Sequence, residues 1–184
     1  MSKSVLIPLA PGFEEMEGMI LTDVFRRGGL KVTTASTVDG PILASRKTTH
    51  LADKKISELL GETFDLIALP GGLEGTKNLM QSDLLKEMLL VQNKEKKEIA
   101  AICAAPNVLR EWNIIAEGMP FTCFPTSKNL SSGGTYLEDR IVSVGHIHTS
   151  VGPGSAFEFA LFLLERLVGE EIKSQVQNGL LLPK

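Results

Sequence analysis

Ala100-Ala101-Ile102-Cys103-Ala104-Ala105-Pro106 is the stretch that decides how this chain is read. A short apolar run stops at a cysteine, small residues follow, and Pro106 stands where the first turn of a helix tolerates a residue without an N–H. The pattern predicts a strand over residues 99–102, a sharp elbow at Cys103 and a helix opening at Pro106. An elbow of this kind projects its side chain from the edge of a sheet, and small neighbours relieve the crowding. The N–H of Ala104 and the positive end of the next helix favour negative charge on the sulfur, and thiolate is the reactive form of cysteine. Free cysteine is also a common buried residue, so the local pattern leaves both roles open for Cys103.

Outward from the elbow, strand-length apolar runs alternate with segments of helical spacing. Residues 5–9 form one such run, ended by Pro11 and Gly12. Residues 15–27 place Met16, Met19, Ile20 and Val24 on one side of a helix that Gly28-Gly29 stops. Strands are predicted at 31–35 and 65–69, the second closed by Pro70-Gly71-Gly72, and then a helix over 82–93 that Ser82 caps. A strand holding Thr122, Cys123 and Phe124 is expected to pack Cys123, and His50 is assigned to a strand. Residues 140–144 and 147–150 form a hairpin around Gly145, a helix runs from 152–155 to 168, and a shorter one covers 170–177. Strands apolar on both faces, separated by helices, specify an α/β protein with a mainly parallel sheet covered on both sides. No repeat or linker-like stretch interrupts residues 1–184, which are read as a single domain. In such sheets sites form at the carboxyl ends of the strands.

Composition narrows the function. A net charge of −3 offers no broad basic field to nucleic acid or anionic lipid. Two cysteines make no disulfide framework. The first apolar run is too short for a signal sequence or for a membrane span, which needs about 20 residues. A reducing, cytoplasmic setting without membrane contact is expected. His146 and His148 have no cysteine or carboxylate at ligand spacing, so no metal site is expected.

Two further clusters carry potential chemistry. Gly71-Gly72 ends a strand where glycine permits positive φ and leaves backbone N–H groups open; beside Cys103, the Gly72 N–H is a candidate oxyanion donor. Glu14, Glu15 and Glu17 crowd a helix start, where acids are favourable to the dipole. Glu17 is followed by Gly18, which makes room around it. Pointing inward beside Cys103, Glu17 would share a proton with it, since two close anions cannot both ionise cheaply. The sequence itself does not separate Glu17 from its neighbours.

The chain resembles the ThiJ/PfpI superfamily, in the branch of the parkinsonism-associated protein deglycase and bacterial YajL. The resemblance runs over essentially the whole sequence, through Pro11-Gly12-Phe13-Glu14-Glu15-Met16-Glu17, Arg26-Arg27-Gly28-Gly29-Leu30-Lys31-Val32-Thr33 and Ala44-Ser45-Arg46. It continues in Leu69-Pro70-Gly71-Gly72, in the elbow, and in Gly152-Pro153-Gly154-Ser155-Ala156-Phe157-Glu158-Phe159-Ala160. It implies a flavodoxin-like three-layer sandwich and a homodimer formed through the first-helix region. It implies Cys103 as nucleophile, Glu17 as its partner carboxyl, Gly72 and Ala104 as backbone donors, and Arg27 and Arg46 as basic residues near the site at the dimer interface. The activity implied is a cofactor-independent glyoxalase or deglycase acting on 2-oxoaldehydes such as methylglyoxal and glyoxal, or on glycated protein or nucleotide. A redox-responsive protein whose Cys103 oxidises to a sulfinate, and a chaperone-like binding module, are the alternatives. Ala104 stands where protease-like members carry histidine, which argues against peptidase activity. Phe124 stands where the human-type relative has histidine.

Overall fold

The computed structural model describes residues 2–182. In chain order its elements are β1 (Ser4–Leu9), α1 (Glu15–Arg27), β2 (Lys31–Ser36), β3 (Ile42–Leu43), β4 (Thr49–His50), β5 (Lys54–Lys55), β6 (Leu66–Leu69), α2 (Leu73–Met80), α3 (Asp83–Lys94), β7 (Glu98–Ile102), α4 (Pro106–Glu111), β8 (Pro120–Phe121), β9 (Thr135–Tyr136), β10 (Ile141–Val144), β11 (Ile147–Ser150), α5 (Ala156–Val168) and α6 (Glu170–Gly179). Seven strands form one sheet in the order β10-β11-β7-β6-β1-β2-β5. Every neighbouring pair is parallel except the β10–β11 hairpin at the edge.

Alternation along the strands explains the layers. Successive side chains point to opposite faces, so Val5 and Ile7 of β1 join one apolar cluster while Leu6 joins the other. Leu66 and Ala68 divide from Ile67 in the same way, as Ala100 and Ile102 divide from Ile99 and Ala101. One cluster meets Leu21, Val24 and Phe25 of α1 and Phe159, Leu163 and Leu164 of α5. The other meets Leu79, Leu85, Leu89, Val108 and Leu109 from α2, α3 and α4. The result is a flavodoxin-like sandwich of helices, sheet and helices. Because β1, β6 and β7 are adjacent and parallel, their carboxyl ends open side by side, and the loops after Leu9, Leu69 and Ile102 converge.

One local expectation needs correction. Residues 122–124 are not a strand: β8 ends at Phe121, the Thr122 N–H goes to Thr149 Oγ1 at 2.9 Å, and the Phe124 N–H goes to Cys103 O at 2.7 Å. Cys123 is nonetheless fully buried. The sequence pattern assigns no element to α2, which contains Gly75. Here glycine serves packing, since a Cβ at Gly75 would lie 2.6 Å from the Phe13 Cα.

Candidate active site

The elbow at Cys103 is real. Its φ is 63°, a left-handed conformation uncommon for a residue with a side chain. Neighbouring backbone holds it there: the Cys103 N–H donates to Ser150 O at 2.9 Å, and the Cys103 carbonyl accepts from Phe124. Pro106 takes the first turn of α4. The space around the elbow is made by glycine. A Cβ on Gly71 would stand 2.7 Å from the Cys103 Cβ. Gly72, at φ 87°, opens α2, and a Cβ there would collide with the Gly12 carbonyl oxygen.

The three glutamates after β1 have three different tasks, none of them a solvated charge. Glu14 is the N-cap of α1 and accepts from the Glu17 N–H at 2.8 Å. Glu15 fastens the turn between β3 and β4, accepting from Ser45 Oγ (2.8 Å), the Arg46 N–H (2.8 Å) and Thr48 Oγ1 (3.0 Å). Glu17 turns inward and is wholly buried. Its Oε2 accepts from the Gly71 N–H at 2.7 Å, and its carboxyl couples to the Cys103 thiol. Among the described residues, its Oε1 has no hydrogen-bond partner. Gly18 does not make room for Glu17 as expected; it makes room for Phe13, whose ring would lie 2.8 Å from a Cβ there.

Glycine N–H groups are thus shared out within one dipeptide: Gly71 serves the carboxyl, and Gly72 serves the sulfur together with Ala104. Burial pushes the Glu17 pKa up to about 8, helped by the charge of Glu14 and opposed by Gly71. Burial also raises the Cys103 thiol, as does the Glu17 charge, while the N–H groups of Gly72 and Ala104 pull it down. The expected help from the Ala104 N–H is present, but it is too small to decide the state of the sulfur. Desolvation outweighs the two donors, and α4 begins only at Pro106, with a short dipole. The pair behaves as a unit: while Glu17 keeps its proton, its charge does not repel charge on the sulfur, and burial is what remains against ionisation.

Cys103 lies on the wall of a cavity of about 640 Å³ that also takes in Glu14, Gly72, Ala104, Arg46, Leu73, Glu74, Lys77 and Phe124. Arg46 reaches the site because Glu15 fixes its turn. Arg27 does not line this cavity; it sits at the far end of α1, paired with Asp23 at 2.6 Å. Leu73, Glu74 and Lys77 were not anticipated, because α2 was not. The spacing argument over the histidines also missed a carboxylate brought close in space. Buried His148 pairs through Nε2 with Glu98, which also holds Arg166 at 3.1 Å, while His146 bonds Asn93 at 2.8 Å. Among the described residues, no group of three or more His, Cys, Asp or Glu side chains is placed to hold a metal ion.

A sequence profile of the DJ-1/PfpI family matches residues 3–166, a span that includes the elbow, the glycine pair and the buried carboxyl. The chain belongs to the DJ-1/PfpI family. Among its DJ-1 relatives, protein dj-1beta of Drosophila melanogaster is 42% identical over 99% of this chain and 98% of its own. A Caenorhabditis elegans protein named as a glutathione-independent glyoxalase is 38% identical, covering 99% of this chain and 98% of its own. The crystal structure of Drosophila melanogaster DJ-1beta superimposes with a TM-score of 0.94 at 41% identity, over the full length of both chains. No helix among the described residues of this DJ-1/PfpI protein is long and apolar enough to cross a membrane.

Proposed function

We propose that the protein is a cofactor-independent glyoxalase that converts 2-oxoaldehydes to 2-hydroxy acids at Cys103. The observation that carries this reading is the pairing of a cavity-lining cysteine with a buried carboxyl held protonated near neutral pH. The glyoxalase relative named above supports it. With methylglyoxal, the Cys103 sulfur adds to the aldehyde carbon, its own proton having left to solvent, and protonated Glu17 gives its proton to the aldehyde oxygen, leaving a hemithioacetal beside a Glu17 carboxylate. The N–H groups that meet sulfur, from Gly72 and Ala104, follow the negative charge as it passes to the neighbouring oxygen. Glu17, now a carboxylate, removes the proton from that carbon and returns it to the adjacent ketone carbon, while the hydroxyl proton passes to the former ketone oxygen. The product of this internal transfer is a thioester of lactate, with no net oxidation. Water cleaves it, releasing lactate and the free thiol. Repair of glycated protein or nucleotide would use the same sulfur on the same kind of carbon.

Methylglyoxal turnover by wild type and Cys103→Ser, followed as lactate formed, tests the proposal. The wild type should produce lactate, and the variant should lose essentially all of it. Unchanged turnover in Cys103→Ser would remove the cysteine mechanism. No turnover in the wild type would leave the redox-responsive reading of Cys103, checked by whether peroxide stops at the sulfinate.

A further inference from the structure

The cavity beside Cys103 is much larger than methylglyoxal needs. At about 640 Å³ it falls within the roughly 300–1,000 Å³ of pockets that hold drug-sized ligands. Part of its wall is apolar and open: Phe124 is 42% exposed and Leu73 is 55% exposed. Phe124 is not a loose surface ring. Its N–H is bonded to the Cys103 carbonyl, and its own carbonyl accepts both the N–H and the Oγ of Ser127 at 2.8 Å. The ring lies against Gly152, where a Cβ would stand 3.2 Å from Cδ2. An aromatic face tied to the residue that bears the sulfur, and open to the cavity, is a place for another flat apolar group. Stacked or edge-on aromatic pairs gain free energy beyond the area they bury.

Resting on the glyoxalase reading, we infer that Phe124, with Leu73, selects 2-oxoaldehydes whose ketone carbon carries an aryl or similarly bulky apolar group. The Phe124 side chain offers no donor or acceptor and takes no part in the proton transfers. It acts by holding the substituent while the aldehyde carbon meets Cys103.

The test compares phenylglyoxal with methylglyoxal as a ratio of kcat/KM, in wild type, Phe124→Ala and Phe124→Leu. The wild type should favour phenylglyoxal by roughly tenfold or more, and Phe124→Ala should lower phenylglyoxal turnover more than methylglyoxal turnover, removing most of that preference. Phe124→Leu, which keeps the loop apolar, should fall between the two. A second measurement needs no turnover: alkylation of Cys103 by N-phenyliodoacetamide relative to iodoacetamide should drop in the same order across the three proteins. Absence of preference in the wild type, or equal losses for both substrates, overturns the inference. So does a change of oligomeric state in Phe124→Ala, which would make the ring an interface residue. If the wild type turns over neither aldehyde, the glyoxalase reading fails, and the alkylation ratio alone decides whether Phe124 selects aryl groups.

Discussion

Glu17 is the residue on which both the chemistry and a stability cost of the site converge. In the unfolded chain its carboxyl ionises around 4.5; in the fold it keeps its proton until about pH 8. Between those values the folded state binds more protons than the unfolded one, so stability must fall as pH rises. Glu17→Gln removes that titration and can still accept from Gly71. Urea unfolding at pH 5 and pH 8 should therefore show the wild type losing on the order of a few kcal/mol that the variant does not lose. The same variant separates two roles in catalysis. An amide still donates to sulfur but cannot carry a proton between carbons, so methylglyoxal turnover should fall by roughly 10²–10⁴-fold. Near wild-type turnover in Glu17→Gln would defeat the proton shuttle and leave Glu17 as a shield for the sulfur.

At the scale of elements, the site is a junction of loops whose closeness depends on missing side chains. Gly72 combines a left-handed backbone with contact against the Gly12 carbonyl and the Glu14 N–H. Gly72→Ala should cost about 2–3 kcal/mol or more, read as a lower midpoint in urea, and should slow alkylation of Cys103 by displacing a donor from its sulfur. A normal midpoint would mean that the loop after β6 relaxes freely. This dependence also explains what the sequence revealed. The strands and longer helices were legible because apolar period and caps coincide, as at Ser82, whose Oγ accepts from the Leu85 N–H at 3.3 Å. The elbow was legible because cysteine, small residues and proline occur in order. The glutamates were not separable, since Glu14, Glu15 and Glu17 share a type and a helix turn, and only the partners at Gly71 and at the β3–β4 turn assign them. Nor was α2, whose glycine follows from the approach of Phe13, a contact distant in sequence.

At the scale of the whole molecule, the outer side of α1 leaves apolar side chains partly exposed. The sequence grouped Met16, Met19, Ile20 and Val24 on one side, yet Val24 is buried against the sheet while Met16 is 56% exposed and Met19 and Ile20 are half-buried. At helical spacing, Met16, Ile20, Asp23 and Arg27 follow one another along the outer stripe. A twofold contact is isologous, and with its axis across α1 the helix would meet its own copy running the other way. Across thirteen residues of helix, that arrangement carries Arg27 from the far end of its own chain towards the start of the partner's α1, where the buried carboxyl and the cavity lie. An arginine remote from its own site would then serve the other one. Sedimentation equilibrium at micromolar concentration should report a dimer, and Ile20→Asp should shift it to monomer, because a charge at the centre of the contact is repeated by symmetry. If the second copy supplies Arg27, the monomeric variant and a dimeric Arg27→Ala should lose methylglyoxal turnover to a similar degree. A wild type that sediments as a monomer would remove both the interface and any role for Arg27 at the site.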